Sequence, residues 1–162
     1  MKKQGTLVVV SGFAGTGRGT VVKELLGRCD SYALSISATT RNPRPGEVDG
    51  REYFFKTTEE FKRMIEEEEF VEYACYVGNY YGTPKKYVQE QLEAGKDVIL
   101  EIEIQGALFV KEKIPETLLL FVTPPSAEEL KRRLVGRGTE TMEEINEPNT
   151  IPGSLSFYLW EP

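Results

Sequence analysis

The chain contains no histidine, and this absence excludes several kinds of site at once. Its 162 residues also include only two cysteines, Cys29 and Cys75, which do not form a C-x-x-C pair. Histidine serves catalytic triads, general bases and metal centres near neutral pH, so sites built on it are excluded. The two cysteines fit a reducing compartment, and we expect small apolar fillers of the core rather than a disulfide.

Long hydrophobic runs and an excess of positive charge are also missing. No stretch reaches the roughly 20 apolar residues of a membrane span. The net charge of −6 argues against general affinity for nucleic acid or anionic membrane, although a local basic site stays open. The start MKKQGTLVVVSG has the charge of a signal peptide, but its short apolar run enters a glycine-rich loop. We therefore expect a single cytoplasmic domain that begins with a buried strand.

The segment SGFAGTGRGT, residues 11–20, has the glycine spacing of a loop that wraps nucleotide phosphates. Residues 6–10 before it predict a buried strand, and apolar residues at helical spacing after it predict a helix from about Gly19 to Cys29. A phosphate loop requires a strand before it and a helix after it. The alternative, a plain glycine-rich turn, requires neither of these elements. Loop amides and the helix dipole make an anion site, and Thr20 is placed to offer a hydroxyl to Mg²⁺. The predicted nucleotide-binding residues are Gly12, Phe13, Ala14, Gly15, Thr16, Gly17, Arg18, Gly19 and Thr20.

Arg18 stands where such a loop normally has a lysine. Arginine keeps the positive charge but is a longer, planar, forked donor. We expect phosphate affinity to survive in part and phosphoryl transfer to suffer, because misplacing a charge by about 1 Å costs on the order of 100-fold in rate.

The rest of the chain alternates strand and helix patterns, which indicates an α/β fold with a mostly parallel sheet flanked by helices. A small β-rich insert interrupts it between residues 41 and 83. Further predicted strands are YALSIS (32–37), DVILEIEI (97–104) and LLLFV (118–122), with a hairpin at VDGREY and exposed antiparallel strand at 72–83. Further helices open at the capping boxes Thr57–Glu60 and Ser126–Glu129, and another runs from Thr83-Pro84 to Gly95.

A second dense region, SISATTRNPRPGEVDGREYFF, carries Arg41 and Arg44 in a proline-stiffened loop. We expect Glu47, Tyr53 and Tyr81 to be their neighbours. Two guanidinium forks with tyrosine hydroxyls suit a phosphate monoester, which arginine grips at two points. The alternative is a solvated loop with surface arginines.

Five motifs together resemble the guanylate kinase family, from residue 6 to about 145. They are SGFAGTGRGT, SISATTRNPRPGEVDGREYFF, FVEYACYVGNYYGTP, DVILEIEIQG and TPPSAEELKRRLVGRGTET. The resemblance implies a fold of the P-loop NTPase type with a GMP-binding insert and a partial lid. It also implies transfer of the γ-phosphoryl group of ATP to GMP with Mg²⁺, giving ADP and GDP.

The resemblance assigns residues to the GMP site. It implies a clamp for the GMP phosphate made by Arg41, Arg44, Tyr53 and Tyr81, with Glu47 beside it. It implies guanine contacts by Ser37, Glu72 and Thr83, and further contacts by Glu101 and Glu103, where the family usually has aspartates. A carboxylate selects guanine because it accepts from N1–H and the 2-amino group, a donor pair that adenine lacks.

The carboxyl-terminal part both extends the resemblance and departs from it. KRRLVGRG resembles the start of the lid over ATP, so Arg133 and Arg137 join Arg18, Arg41 and Arg44 as catalytic candidates, the alternative being a basic patch at a helix end. Pro148 stands where another lid arginine is expected. We therefore divide the chain into a domain at 1–147 (core 1–40 and 84–147, insert 41–83) and an atypical tail at 148–162, as a truncated or replaced terminus would give.

The sequence thus predicts a guanylate kinase that binds GMP and ATP, with no nucleic acid or membrane partner and an open oligomeric state. The alternative is a catalytically impaired module that binds GMP or phosphopeptides through the old GMP site. A non-functional truncated product is a third possibility.

Overall fold

The computed structural model describes residues 4–13, 15–76 and 78–137. Ala14 and the tail 148–162 therefore lie outside the described residues, as do the lid beyond residue 137 and the side chain of Arg137. The strands are β1 Leu7–Gly12, β2 Tyr32–Leu34, β3 Ala38–Thr39, β4 Phe54–Phe55, β5 Phe70–Tyr76, β6 Asn79–Pro84, β7 Asp97–Glu101 and β8 Leu118–Val122. The helices are α1 Arg18–Arg28, α2 Thr58–Glu66, α3 Lys85–Glu93, α4 Ile104–Lys113 and α5 Ala127–Arg137.

The core is a four-stranded parallel sheet in the order β2-β7-β1-β8. All six residues of β1 are buried, because helices cover both faces of this strand. Val9 packs with residues of α3 and α4 on one face, and Val10 packs with Val22 of α1 on the other. The predicted parallel α/β fold is confirmed.

The second sheet, in the order β4-β3-β6-β5, belongs to the insert. β5 and β6 pair antiparallel, as predicted for residues 72–83. Helix α2 opens with the predicted capping box, in which Thr57 and Glu60 bond each other's backbone N–H. Phe61 of α2 is fully buried and stacks on Phe70 and Tyr80, which fixes the helix to the sheet.

Two strand boundaries differ from the prediction. The segment YALSIS is not one strand: β2 ends at Leu34 in the core sheet, and β3 begins at Ala38 in the second sheet. The second sheet thus spans Ala38 to Pro84, against the insert predicted at 41–83. Strand β7 ends at Glu101, and Glu103 is the N-cap residue of α4, a helix that the sequence analysis did not predict.

The hairpin predicted at VDGREY is wrong. A turn closes there through the hydrogen bond from Gly50 N to Tyr53 O, 3 residues on, at 2.8 Å. The strand after it, β4, pairs in parallel with β3, so the turn does not join two antiparallel strands.

The expectation of buried cysteines is also wrong, since Cys29 and Cys75 are both free and exposed.

No helix in the described part of the chain is long and apolar enough to cross a membrane. Within that part, β8 forms one edge of the core sheet, and its Leu118 and Leu120 side chains are 49% and 45% exposed.

Candidate active site

The phosphate loop joins β1 to α1 and depends on glycine at its bends. Gly15 has φ 80°, and a Cβ there would lie 2.8 Å from Leu134 Cδ2 of α5. Gly12 has φ 151°, and a Cβ there would overlap the Val122 carbonyl oxygen. The Thr16 hydroxyl is buried and donates to the Phe13 carbonyl oxygen at 2.8 Å. Side chains are excluded at these bends, and the loop is closed by its own hydrogen bond.

Arg18 begins α1, and its guanidinium lies against the turn between β7 and α4. It donates to the Ile102 carbonyl oxygen at 3.1 Å and to Glu103 Oε1 at 2.7 Å. The Arg18 side chain is 14% exposed and that of Glu103 is 69% exposed. Glu103 therefore contacts the phosphate-loop cation from the start of a helix, not from the strand predicted at 97–104.

Arg133 reaches the phosphate loop from α5. Its Nη1 donates to the Thr16 carbonyl oxygen at 3.1 Å, and its Nε donates to Glu129 Oε1 at 2.7 Å. Arg132 also bonds both oxygens of Glu129. These contacts lower the pKa of Glu129 to about 2, so the carboxylate is ionised at any physiological pH.

The residues that were predicted to bind a phosphate lie around Arg41. Its guanidinium donates to Glu47 Oε1 at 2.9 Å and lies 5.3 Å from the centre of the Tyr53 ring, which in turn is 6.2 Å from the Tyr81 ring. Glu47 Oε2 accepts from the Arg44 backbone N–H at 2.7 Å. The hydrogen bond between them raises the pKa of Arg41 and lowers that of Glu47. The structure thus brings together the side chains of Arg41, Glu47, Tyr53 and Tyr81, whereas Arg44 joins them through its backbone N–H.

A cavity of about 140 Å³ lies between the two sheets, at the carboxyl ends of β2 and β7. The predicted residues that line it are Ser37, Tyr53, Thr83 and Glu101. Its lining also includes Leu34, Ser35, Glu52, Leu100 and Ile102, which the sequence analysis did not select. Glu103 is not part of the lining. The sequence indicated the place of Ser35 in the lining only through its position two residues before Ser37 in SISATT.

Glu72 is a buried carboxylate beside Thr83, although it is not itself part of the cavity lining. It is 8% exposed, and its Oε1 accepts from the Thr83 hydroxyl at 2.7 Å. Gly106 of α4 makes room for Oε2, because a Cβ at Gly106 would lie 3.2 Å from that atom. Burial raises the pKa of Glu72, and the hydrogen bond from Thr83 offsets part of this rise. A desolvated carboxylate with one fixed partner is a strong acceptor for further N–H donors.

Residues that fit a magnesium ion lie where the first turn of α1 faces the end of β7. Thr20 is exposed on that turn, and a Cβ on the adjacent Gly19 would be 3.5 Å from Glu101 Oε1. Across residues 4–13, 15–76 and 78–137, no three metal-ligating side chains cluster. Mg²⁺ is usually held by one or two carboxylates together with substrate phosphates and water, and the Glu101 carboxylate beside the first turn of α1 is a ligand of this kind.

Comparisons with known proteins agree with this arrangement. The family model described as guanylate kinase matches residues 4–151. Curated guanylate kinases of Caldanaerobacter subterraneus and Halalkalibacterium halodurans are 59% and 58% identical over 145 residues, which is 90% of this chain and 70% and 71% of theirs. The crystal structure of guanylate kinase from Anaplasma phagocytophilum superposes with a TM-score of 0.66 at 36% identity, covering 83% of this chain and 69% of that one.

The match extends through both sheets and α1 to α5, and includes the phosphate loop, the Arg41 cluster and the cavity between the sheets. The chain belongs to the guanylate kinase family and is an enzyme that transfers the γ-phosphoryl group of ATP to GMP, giving ADP and GDP.

Proposed function

We propose that the two halves of the site divide this reaction, with GMP held between the two sheets and ATP held by the phosphate loop. The observation that carries the proposal is the cavity, which is lined by Tyr53 and Thr83 of the insert, by Glu101 of the core sheet and by Ser37 of the connection between them. In open parallel sheets, ligands bind outside the carboxyl ends of the strands, and this cavity lies there.

Arg41 and Arg44 bind the GMP phosphate together with the hydroxyls of Tyr53 and Tyr81. The contact with Glu47 supports this role, since it orients the Arg41 guanidinium beside the Tyr53 ring before substrate arrives. Bidentate arginine contacts to phosphate are short and charge-assisted, which gives both affinity and a fixed direction.

Glu72, Thr83 and Ser37 select guanine. The Glu72 carboxylate accepts from guanine N1–H and the 2-amino group, and its contact with Thr83 fixes its orientation. Adenine would leave this buried acceptor without donors, and an unpaired buried charge is costly.

The residues Gly12 to Thr20 bind the phosphates of ATP; Arg18 is the cation within this loop, and Arg133 of α5 contacts the loop from outside. Arg137, the last residue of α5, is proposed to join them. Phosphoryl transfer depends on positioning and charge stabilisation more than on proton transfer, so these guanidinium groups contribute more to the rate than a general base would.

Mg²⁺ would be held by Thr20 with the ATP phosphates, and the Glu101 carboxylate beside Gly19 is the acidic group available to its waters. When bound, the ion neutralises phosphate charge.

The site of action is the cytoplasm, where both nucleotides are present. The impaired binding module is not favoured, because the relatives at 58–59% identity are named as guanylate kinases.

The test is GDP formation from GMP and Mg·ATP by the chain itself and by Arg18→Lys. We expect turnover in both, with a higher kcat for Arg18→Lys because a compact ammonium reaches the phosphates with less rearrangement. Lys23→Arg, on the exposed side of α1, is the matched control and should leave kcat unchanged. If neither protein forms GDP while GMP still binds in a titration, the proposal is refuted in favour of the binding module.

A further inference from the structure

Glu129 occupies a special place in α5, although it was selected from the sequence only as half of a capping box. Its backbone N–H donates to the Ser126 hydroxyl at 3.1 Å, which fixes it in the first turn of the helix. Its carboxylate accepts from Arg133 on one side and from Arg132 on the other. The side chain is 24% exposed, so the contacts are partly shielded from solvent.

An ion pair between residues four apart on a helix is common and usually contributes little. The Glu129–Arg133 pair differs because the guanidinium has a second contact far away in the chain. Arg133 Nη1 donates to the carbonyl oxygen of Thr16, 117 positions earlier in the sequence and inside the phosphate loop. Leu134, the next residue of α5, lies against Gly15 of the same loop.

The two contacts fix the orientation of the Arg133 guanidinium. Of the five N–H donors of a guanidinium, one goes to Glu129 and one to Thr16, which leaves three that no contact in the described part of the chain uses. A Cβ on Gly17 would be 3.8 Å from Nη1, so the guanidinium borders the loop on the side of α1. Glu129 is thus the group that holds the donors of Arg133 beside the phosphate-binding amides.

We propose that Glu129 is a positioning residue for phosphoryl transfer, which holds Arg133 against the phosphate loop before ATP binds so that the guanidinium meets the phosphates without rearrangement. The inference rests on the proposed role of Arg133. Pre-orienting a cation matters because displacements of about 1 Å cost on the order of 100-fold in rate. Since the pKa of Glu129 is about 2, its carboxylate stays ionised between pH 5 and pH 9. Its contribution to kcat should therefore not change with pH in this range.

The test compares Glu129→Gln with two matched controls. Glu128→Gln makes the same change on the exposed neighbouring residue, and Arg132→Gln removes the partner of Glu129 that does not contact the loop. We expect Glu129→Gln to lower kcat by about 10- to 100-fold with KM for GMP unchanged, and the controls to stay within about 2-fold. Glu129→Asp should recover part of the loss, and melting temperatures verify that all variants are folded.

A double-mutant cycle separates positioning from a merely structural role. In an Arg133→Met background, Glu129→Gln should have no further effect on kcat, because the group that it positions is gone. The same loss in both backgrounds, or equal activity of Glu129→Gln and Glu128→Gln, would overturn the inference.

Failure of the proposed function has its own signature, which is absence of GDP formation by the unsubstituted chain. In that case, the effect of Glu129 on Arg133 is tested through the Kd for Mg·ADP, measured by calorimetry. Glu129→Gln should weaken that binding and Glu128→Gln should not; equal affinities would reject the role of Glu129.

Discussion

Replacement of the buried Glu72 by glutamine should make the protein more stable and less selective at the same time. Glutamine has nearly the same shape and keeps an acceptor oxygen for the Thr83 hydroxyl, now 2.7 Å from Oε1. What the substitution removes is a charge in a side chain that is 8% exposed. Buried charges without a cationic partner are unfavourable, so the unliganded protein gains from the change.

The sign of the pH dependence follows from the direction of the pKa shift. Burial raises the pKa of Glu72 in the folded state above its unfolded value, so the folded protein binds this proton more tightly. The resulting stability is fully present below the unfolded pKa and is lost as the pH rises through the folded pKa. At neutral pH we expect Glu72→Gln to gain on the order of 1 kcal/mol, which is about 2–4 °C in Tm for a chain of this size.

Selectivity should change in the opposite direction. A hydrogen bond to a charged group contributes about 1.5–3 kcal/mol, so losing one such acceptor should weaken GMP binding by roughly 10- to 100-fold. The glutamine also brings an NH₂ donor toward guanine N–H groups, which adds to the loss. Discrimination against AMP should fall with it.

The assay is thermal unfolding of both proteins at pH 7.5 and pH 5, with GMP and AMP titrations by calorimetry. The stability difference should narrow as the pH is lowered, because the raised pKa of Glu72 lets the folded protein take up this proton before the unfolded chain does. Glu90→Gln on the exposed side of α3 is the control and should melt like the parent protein. A lower Tm for Glu72→Gln at pH 7.5, or a difference that is independent of pH, would refute the argument.

Three further predictions concern the loop cation, the insert and the sheet edge. Glu103 and the ATP phosphates compete for the Arg18 guanidinium, so Glu103→Gln should lower the Kd for Mg·ATP several-fold in calorimetry. Unchanged or weaker binding would contradict this competition. Phe61→Ala should cost about 3–5 kcal/mol in urea unfolding because the ring is fully buried, whereas Leu108→Ala at an exposed position should cost less than about 1 kcal/mol. Leu120→Thr on β8, an edge strand of the core sheet within the described residues, should reduce self-association in sedimentation experiments because an exposed apolar side chain is removed; equal sedimentation of both proteins would contradict this expectation.

The phosphate loop and the contact between Arg41 and Glu47 could be predicted because their signals are local. Strand, glycine loop and helix follow one another within residues 7–28, and Arg41, Arg44 and Glu47 lie within seven residues of chain. Local backbone preferences and short-range hydrogen bonds decide such segments, so the sequence pattern carries most of the information. The resemblance added Glu72 and Thr83, which the structure brings to 2.7 Å from each other.

What could not be predicted depends on contacts between distant segments. The contact of Arg18 with Glu103 requires that β1 and β7 pair in parallel, which places the ends of both strands side by side. Helix α4 was missed because Glu103 provides no side-chain cap, so its start has no local signal. The break in YALSIS after Leu34 is a choice between two sheets, and the alternation of apolar residues is compatible with either.

The change of sheet after Leu34 has a consequence for how this enzyme can be altered as a whole. The chain enters the second sheet at β3 and leaves it at β6, and these two strands are neighbours, with Thr39 opposite Tyr81. The insert is therefore attached through two adjacent connections, as domains that tolerate transplantation are. Recombination at these two connections would exchange the second sheet in one event, carrying Glu72 and Thr83 with it and leaving Ser37, Glu101 and the phosphate loop behind. With the roles proposed above, guanine selection would then combine two sources, because Ser37 and Glu101 stay with the recipient core while Glu72 and Thr83 arrive with the exchanged sheet.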